Sequence, residues 1–173
     1  MILVGSEIVE EWKKGNIHIL PFNEDNVGPN SYDVTLGDTL KCYIGTVLDS
    51  KIDNQVEEIK IPERGYCLDP NILYLGHTNE EAGSDYFLPM YEGRSSMARL
   101  GIQSHLSAGF GDLGFKQQWT LEIKVAMPVI VYPNMRIGQV YFNRVNYKAS
   151  DRLYQGKYAE QSGVQASQSW KDF

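Results

Sequence analysis

The chain holds only two cysteines and three histidines in 173 residues, and neither set is grouped. Cys42 and Cys67 form no C-x-x-C pair, which excludes a zinc ribbon or a local dithiol redox centre and leaves both as expected buried thiols. His18, His77 and His105 lack the i, i+4 or H-x-E spacing of a zinc site, so no zinc is expected. No apolar run reaches bilayer-spanning length, and the start, MILVGSEIVEEW, carries acids where a secretory leader carries bases. The expected setting is cytoplasmic, or the host cytoplasm if the chain is viral, with no membrane partner. Lys and Arg are outnumbered by Asp and Glu, 16 to 22, and the formal net charge is −6. Without a basic stripe, nucleic acid is not an expected partner; a small anion bound by locally gathered bases stays compatible with that charge. Internal repeats and low-complexity linkers are also missing, and the length suits one domain.

What is present is mostly β pattern. SEIVEEWKKG (6–15) reads as one short amphipathic helix, with Ser6 as its cap, Ile8 and Trp12 on one face and Gly15 as its stop. Strands are expected at 17–20, 31–36, 40–48, 57–61, 71–77, 105–110, 119–127, 129–132 and 137–142, because these runs are β-branched or aromatic and bounded by Gly, Pro, Asn or Asp. Many short strands on regular turn signals point to a sandwich, barrel or jelly-roll. From about residue 147 the composition shifts to Gly, Ser, Gln and Tyr, so the tail is either disordered or a lid.

Two segments carry candidate chemistry. In EGRSSMARLGI (92–102), Ser95 or Ser96 can cap a single helical turn that Gly101 ends. Free N–H groups, two hydroxyls, Arg94 and Arg99 can surround a phosphate there, and the same residues can equally form a solvated surface turn. In WTLEIKV, alternation sends Trp119, Leu121, Ile123 and Val125 to one face and Thr120, Glu122 and Lys124 to the other. Read from this strand alone, Glu122 is either an outward solvated acid or a site acid.

Seven blocks, in order along the chain, resemble the dCTP deaminase family of the trimeric dUTPase superfamily. They are MILVGSEI, PNSYDVTLGD (29–38), EGRSSMARLGI, HLSAGFGDLGF (105–115), WTLE, PNMRIGQVYF (133–142) and GKYAEQSG (156–163). The resemblance implies a mainly β, dUTPase-like distorted jelly-roll or β-barrel over 1–147, a nucleotide-covering tail over 148–173, and a homotrimer with sites between subunits. It implies zinc-independent deamination of dCTP to dUTP and ammonia, with Mg2+ carried mainly on the nucleotide's phosphate oxygens. dTTP is implied as an inhibitor. By similarity Glu122 is the general base and acid at cytosine C4. Ser95, Arg99 and Asp112 join it as catalytic residues.

Arg94, Ser96, Met97, Ala98, Ala108, Thr120, Leu121, Gln139, Tyr154, Lys157 and Gln161 are the implied substrate-binding set. Leu121 would contribute by backbone and side chain, and Lys157 would hold phosphate. Gln139 has an alternative as a strand glutamine satisfying a neighbour. Members that also cleave dUTP to dUMP and pyrophosphate carry a Gly-aromatic pair before the aspartate, here Gly109-Phe110, so a bifunctional enzyme is expected. The alternatives are deamination alone, dUTP cleavage alone, or a trimeric nucleotide-binding regulator without turnover. A bland reading of Gly109-Phe110 is a strand-end bulge with a packed ring. The chain departs from the family pattern at Gly28, at Gly111, which would loosen Asp112, and at Gln117, which stands where a glycine is usual.

Overall fold

The computed structural model describes residues 1–146 and 152–173. Helix α1 (Gly5–Lys13) is followed by strands β1 (His18–Leu20), β2 (Tyr32–Thr35), β3 (Thr39–Tyr43), β4 (Val56–Lys60), β5 (Tyr66–Leu68), β6 (Tyr74–Gly83) and β7 (Phe87–Gly93). The single turn α2 (Ser95–Arg99) leads to β8 (Ile102–Gln103), β9 (Gln118–Val125), β10 (Val129–Val131) and β11 (Arg136–Arg144). The largest sheet runs β4-β3-β6-β9-β8, with β1 also paired to β6; a second runs β2-β11-β7, and β10 pairs β5. All these pairings are antiparallel. The mainly β expectation therefore holds.

The sheets enclose one core. Val34, Leu36, Leu40, Leu121, Ile123, Val140 and Phe142 are all buried in it, supplied by alternate positions of β2, β3, β9 and β11 and the residue after β2. Helix α1 adds Ile8, fully buried, and Trp12, which stacks on Phe22 at 3.9 Å and donates to the Ile19 carbonyl. Gly15 ends α1 at φ +77°, a value glycine adopts without steric cost. The cap is not Ser6 but Val4, whose N–H is held by the Glu7 carboxylate reaching back at 3.0 Å.

Other departures from the pattern reading have local causes. β6 runs on through Asn79, Glu80 and Glu81, which look like strand breakers. Glu80 is buried because Thr35 donates to it from both N–H and Oγ1, at 2.8 and 2.9 Å, and that burial raises its pKa. β7 contains Pro89, yet it lies at a sheet edge where a missing N–H is tolerated. Residues 105–110 are not a strand. They track β7 irregularly, with Tyr91 N–H donating to the Gly109 carbonyl at 2.7 Å and Gly111 N–H to the Pro89 carbonyl at 3.0 Å.

The expectation of two buried thiols fails for Cys67, which is exposed, while Cys42 is buried. Burial and the neighbouring Glu57 carboxylate push the Cys42 thiol up to about 11. The thiolate is the reactive form, so native protein should consume one equivalent of a thiol-specific disulfide reagent per chain and take up a second only after denaturation. Two rapid equivalents would mean that Cys42 is not sealed.

Candidate active site

The outward face of β9 opens into a cavity of about 410 Å³. Strand alternation is as expected: Trp119, Leu121, Ile123 and Val125 are buried, and Gln118, Thr120, Glu122 and Lys124 are partly exposed. Thr120 and Glu122 look into the cavity. Its walls near them are apolar, from Leu73, Leu75, Phe115 and the Trp119 ring. Glu122 Oε2 accepts the Leu106 N–H at a long 3.4 Å. A carboxylate between apolar walls with, among the described residues, one weak protein donor is placed to exchange a proton with a bound molecule.

The loop after β8 supplies a second acid. Asp112, Ala108 and Phe110 line the same cavity. Gly111 does not loosen Asp112 as expected: a Cβ there would lie 2.5 Å from Trp119 Cη2 and 2.8 Å from the Pro89 carbonyl oxygen. The missing side chain lets the loop press against the Trp119 ring and fixes the turn that presents Asp112. Gly111→Ala should cost about 1–3 kcal/mol from overpacking, read as a lowered denaturation midpoint. An unchanged midpoint would show that the contact relaxes freely. Phe110 is 62% exposed, so its ring is not the packed plug of the bland reading, whereas Gly109 is buried against the Tyr91 carbonyl.

The tail closes the cavity from the other side through Tyr154 and Gln161. Tyr154 stands edge-on to Phe115 at 6.0 Å, and its OH accepts the Tyr158 N–H. Val164 is buried, Lys41 Nζ donates to its carbonyl, and Gln165 N–H donates to Thr120 Oγ1. Residues 152–173 thus pack against the cavity rather than standing apart from it; positions 148–151 of the expected tail lie outside the described residues. Tyr43, Tyr158, Gln165 and Ser167 also line the cavity, and no pattern in the sequence singled them out. The Tyr43 hydroxyl accepting from Ser167 N–H joins segments 124 positions apart, which local periodicity does not record.

Several expected residues stand elsewhere. Leu121 points its side chain into the core at 1% exposure, so only its backbone is available to a ligand. Lys157 does not line the cavity; its ammonium pairs with Asp172 and donates to the Gln168 carbonyl. Gln139 has both amide ends engaged, accepting from Ser31 Oγ at 2.6 Å and donating to the Gly93 carbonyl at 3.3 Å. That is the neighbour-satisfying role, and it braces the entry to α2.

α2 forms the expected single turn, with Gly101 at φ +76° just after it. Its N-cap is Arg94, not either serine, which leaves the Ser95 and Ser96 hydroxyls uncommitted to capping. Met97 packs on the core, Arg94 pairs with Asp33 at 3.2 Å, and Ser95, Ser96, Ala98 and Arg99 are exposed. Ser95 and Ala98 line a separate recess of about 480 Å³ beside Ser104 and His105. Neither they nor any other α2 residue lines the Glu122 cavity. One chain therefore presents a cavity that holds two acids and is bordered by the tail, and, apart from it, a turn whose Ser95, Ser96 and Arg99 are exposed.

Among the described residues, no group of three or more His, Cys, Asp and Glu could hold a metal ion, and no helix is long and apolar enough to cross a membrane.

Comparison with known proteins agrees with this geometry. The solved structure of 2'-deoxycytidine 5'-triphosphate deaminase from Agrobacterium tumefaciens superposes with a TM-score of 0.67 at 18% identity, over 83% of this chain. The match spans about half, 48%, of that longer chain, and it bears on the fold alone. Proteins called dCTP deaminase, dUMP-forming, are 45% identical in Clostridium botulinum (strain Eklund 17B / Type B) and 46% identical in Clostridium beijerinckii. Both alignments cover 100% of this chain and 99% of the relative. The profile of dCTP deaminase-like proteins matches residues 2–145, and the chain belongs to that family.

Proposed function

We propose that this protein converts dCTP through dUTP to dUMP, releasing ammonia and then pyrophosphate. The observation that carries the reading is the pair of acids, Glu122 and Asp112, on one cavity closed by the tail. Cytosine enters beside β9. Glu122 takes a proton from water attacking C4 and returns protons to N3 and the departing amine, so that C–N cleavage releases ammonia. Thr120 and the Leu121 backbone hold the base and sugar, and Gln161 covers them from the lid. Asp112 then acts as base on a second water at the α-phosphorus, and pyrophosphate leaves. Exposed Phe110 beside buried Gly109 supports the second step, as does the dUMP-forming name shared by the two Clostridium relatives.

Magnesium fits as an ion carried on the nucleotide. The described residues offer no cage of their own, while Asp112 offers a hard oxygen at the cavity, and the metal would stabilise the charge of the phosphate leaving group. dTTP shares the deoxyribose and triphosphate but has no amine to lose, and we place it in the same site as an inhibitor.

The outward α2 turn supports assembly as a homotrimer. Arg94, Ser95, Ser96 and Arg99 of one subunit would complete the cavity of its neighbour, ordering water and phosphates. Lys157 would exchange Asp172 for phosphate. Incubation with dCTP, and separately with dUTP, in the presence of magnesium should give dUMP from both and ammonia from dCTP only. Unchanged nucleotides would favour a non-catalytic binder, and dUTP as the end product would remove the second step. The shared site has its own test. Glu122→Gln and Arg99→Ala, each inactive alone, should recover activity when co-assembled, since a mixed trimer contains intact sites; no recovery would place both residues in one subunit's site.

A further inference from the structure

We infer that Gln118, a residue outside the reaction, is the positioning residue that holds the lid in register over the cavity. Its contacts bracket one short tail segment from both ends. The Gln118 carbonyl accepts from Gln161 Nε2 at 2.5 Å, and its side-chain Oε1 accepts from Gly163 N–H at 2.7 Å. The same side chain is fixed from behind, since Nε2 donates to the Asn79 carbonyl at 3.1 Å. That carbonyl is available because β6 bulges between His77 and Glu81, where its register with β9 shifts. The bulge thus orients the amide, and the amide sets the position of Gly163. Gly163 sits at φ +63° and turns the chain just beyond Gln161. Gln117, one of the departures from the family pattern, adds a further tie by donating from Nε2 to the Ala159 carbonyl at 2.9 Å. Adjacent glutamines therefore hold the tail on either side of the residue that faces the ligand.

The inference rests on the nucleotide-site reading for its kinetic consequence but not for its structural one. If the closed lid is the binding-competent state, apparent affinity falls in proportion to the fraction of molecules closed. Gln118→Leu keeps the size of the side chain and removes both of its hydrogen bonds. Each such bond is worth a few-fold in an equilibrium, so KM for dCTP should rise about three- to tenfold. The chemical step should be little affected, which leaves kcat close to wild type. Gln117→Leu should act in the same direction and less strongly.

The test compares wild type, Gln118→Leu and Gln117→Leu by steady-state kinetics with dCTP and magnesium, by denaturation midpoint, and by trypsin release of the tail at Arg152 and Lys157 without nucleotide. Raised KM with steady kcat, faster tail release and a near-native midpoint is the expected result. A folded Gln118→Leu protein with wild-type KM and wild-type tail release overturns the inference. So does a fall in kcat at constant KM that follows a lowered midpoint, since that is the signature of general destabilisation. If the wild-type protein does not convert dCTP, the reading of the site fails, and the trypsin comparison alone decides the role of Gln118.

Discussion

Glu122→Gln is expected to bind dCTP with nearly unchanged affinity while ammonia release falls by roughly 10²–10⁴-fold, the usual contribution of a positioned acid–base group. Glutamine preserves the size of the side chain and can still accept the weak Leu106 N–H contact, so the strand and cavity should persist. It cannot carry a proton from water to N3 and the amine. Calorimetric titration with dCTP, alongside a coupled ammonia assay, separates binding from turnover. Wild-type release of ammonia would remove Glu122 from the mechanism, and loss of binding would make it a structural or recognition residue.

Asp112→Asn should produce the complementary defect. dCTP would still be deaminated, dUTP would accumulate, and pyrophosphate formation would fall by roughly 10²–10⁴-fold, since only the second water loses its base. The turn that carries Asp112 is set by Gly111 against Trp119 and by its backbone bond to Pro89, so the exchange should not disturb the loop. Chromatographic separation of dUTP, dUMP and pyrophosphate reads the outcome. Undiminished pyrophosphate would assign the activation of that water to another residue.

Much of this site is legible in short segments because its parts obey local rules. The face assignment of Glu122 follows from a two-residue period, and the α2 turn follows from a helix-forming stretch ended by a glycine free to adopt positive φ. Failures occur where distant groups decide the outcome. Glu80 becomes a strand residue because Thr35 satisfies its carboxylate, and the Pro89 segment becomes a strand because it reaches a sheet edge. Lys157 turns away from the cavity because Asp172 lies within reach, a pairing that only the fold of the tail creates. The serines of α2 looked like caps, yet the backbone already enters the helix at Arg94. Division of the candidate residues between a cavity and an outward turn is likewise invisible until the chain is folded.

The most direct measurement of the central claim is conversion of dCTP in 18O-enriched water with magnesium, followed by mass analysis of the nucleotide and pyrophosphate. Two successive attacks by water, at C4 and at the α-phosphorus, predict dUMP carrying one heavy oxygen on the base and one on the phosphate, with unlabelled pyrophosphate. Recovery of unlabelled dCTP, or of dUTP labelled at C4 alone, would contradict the account.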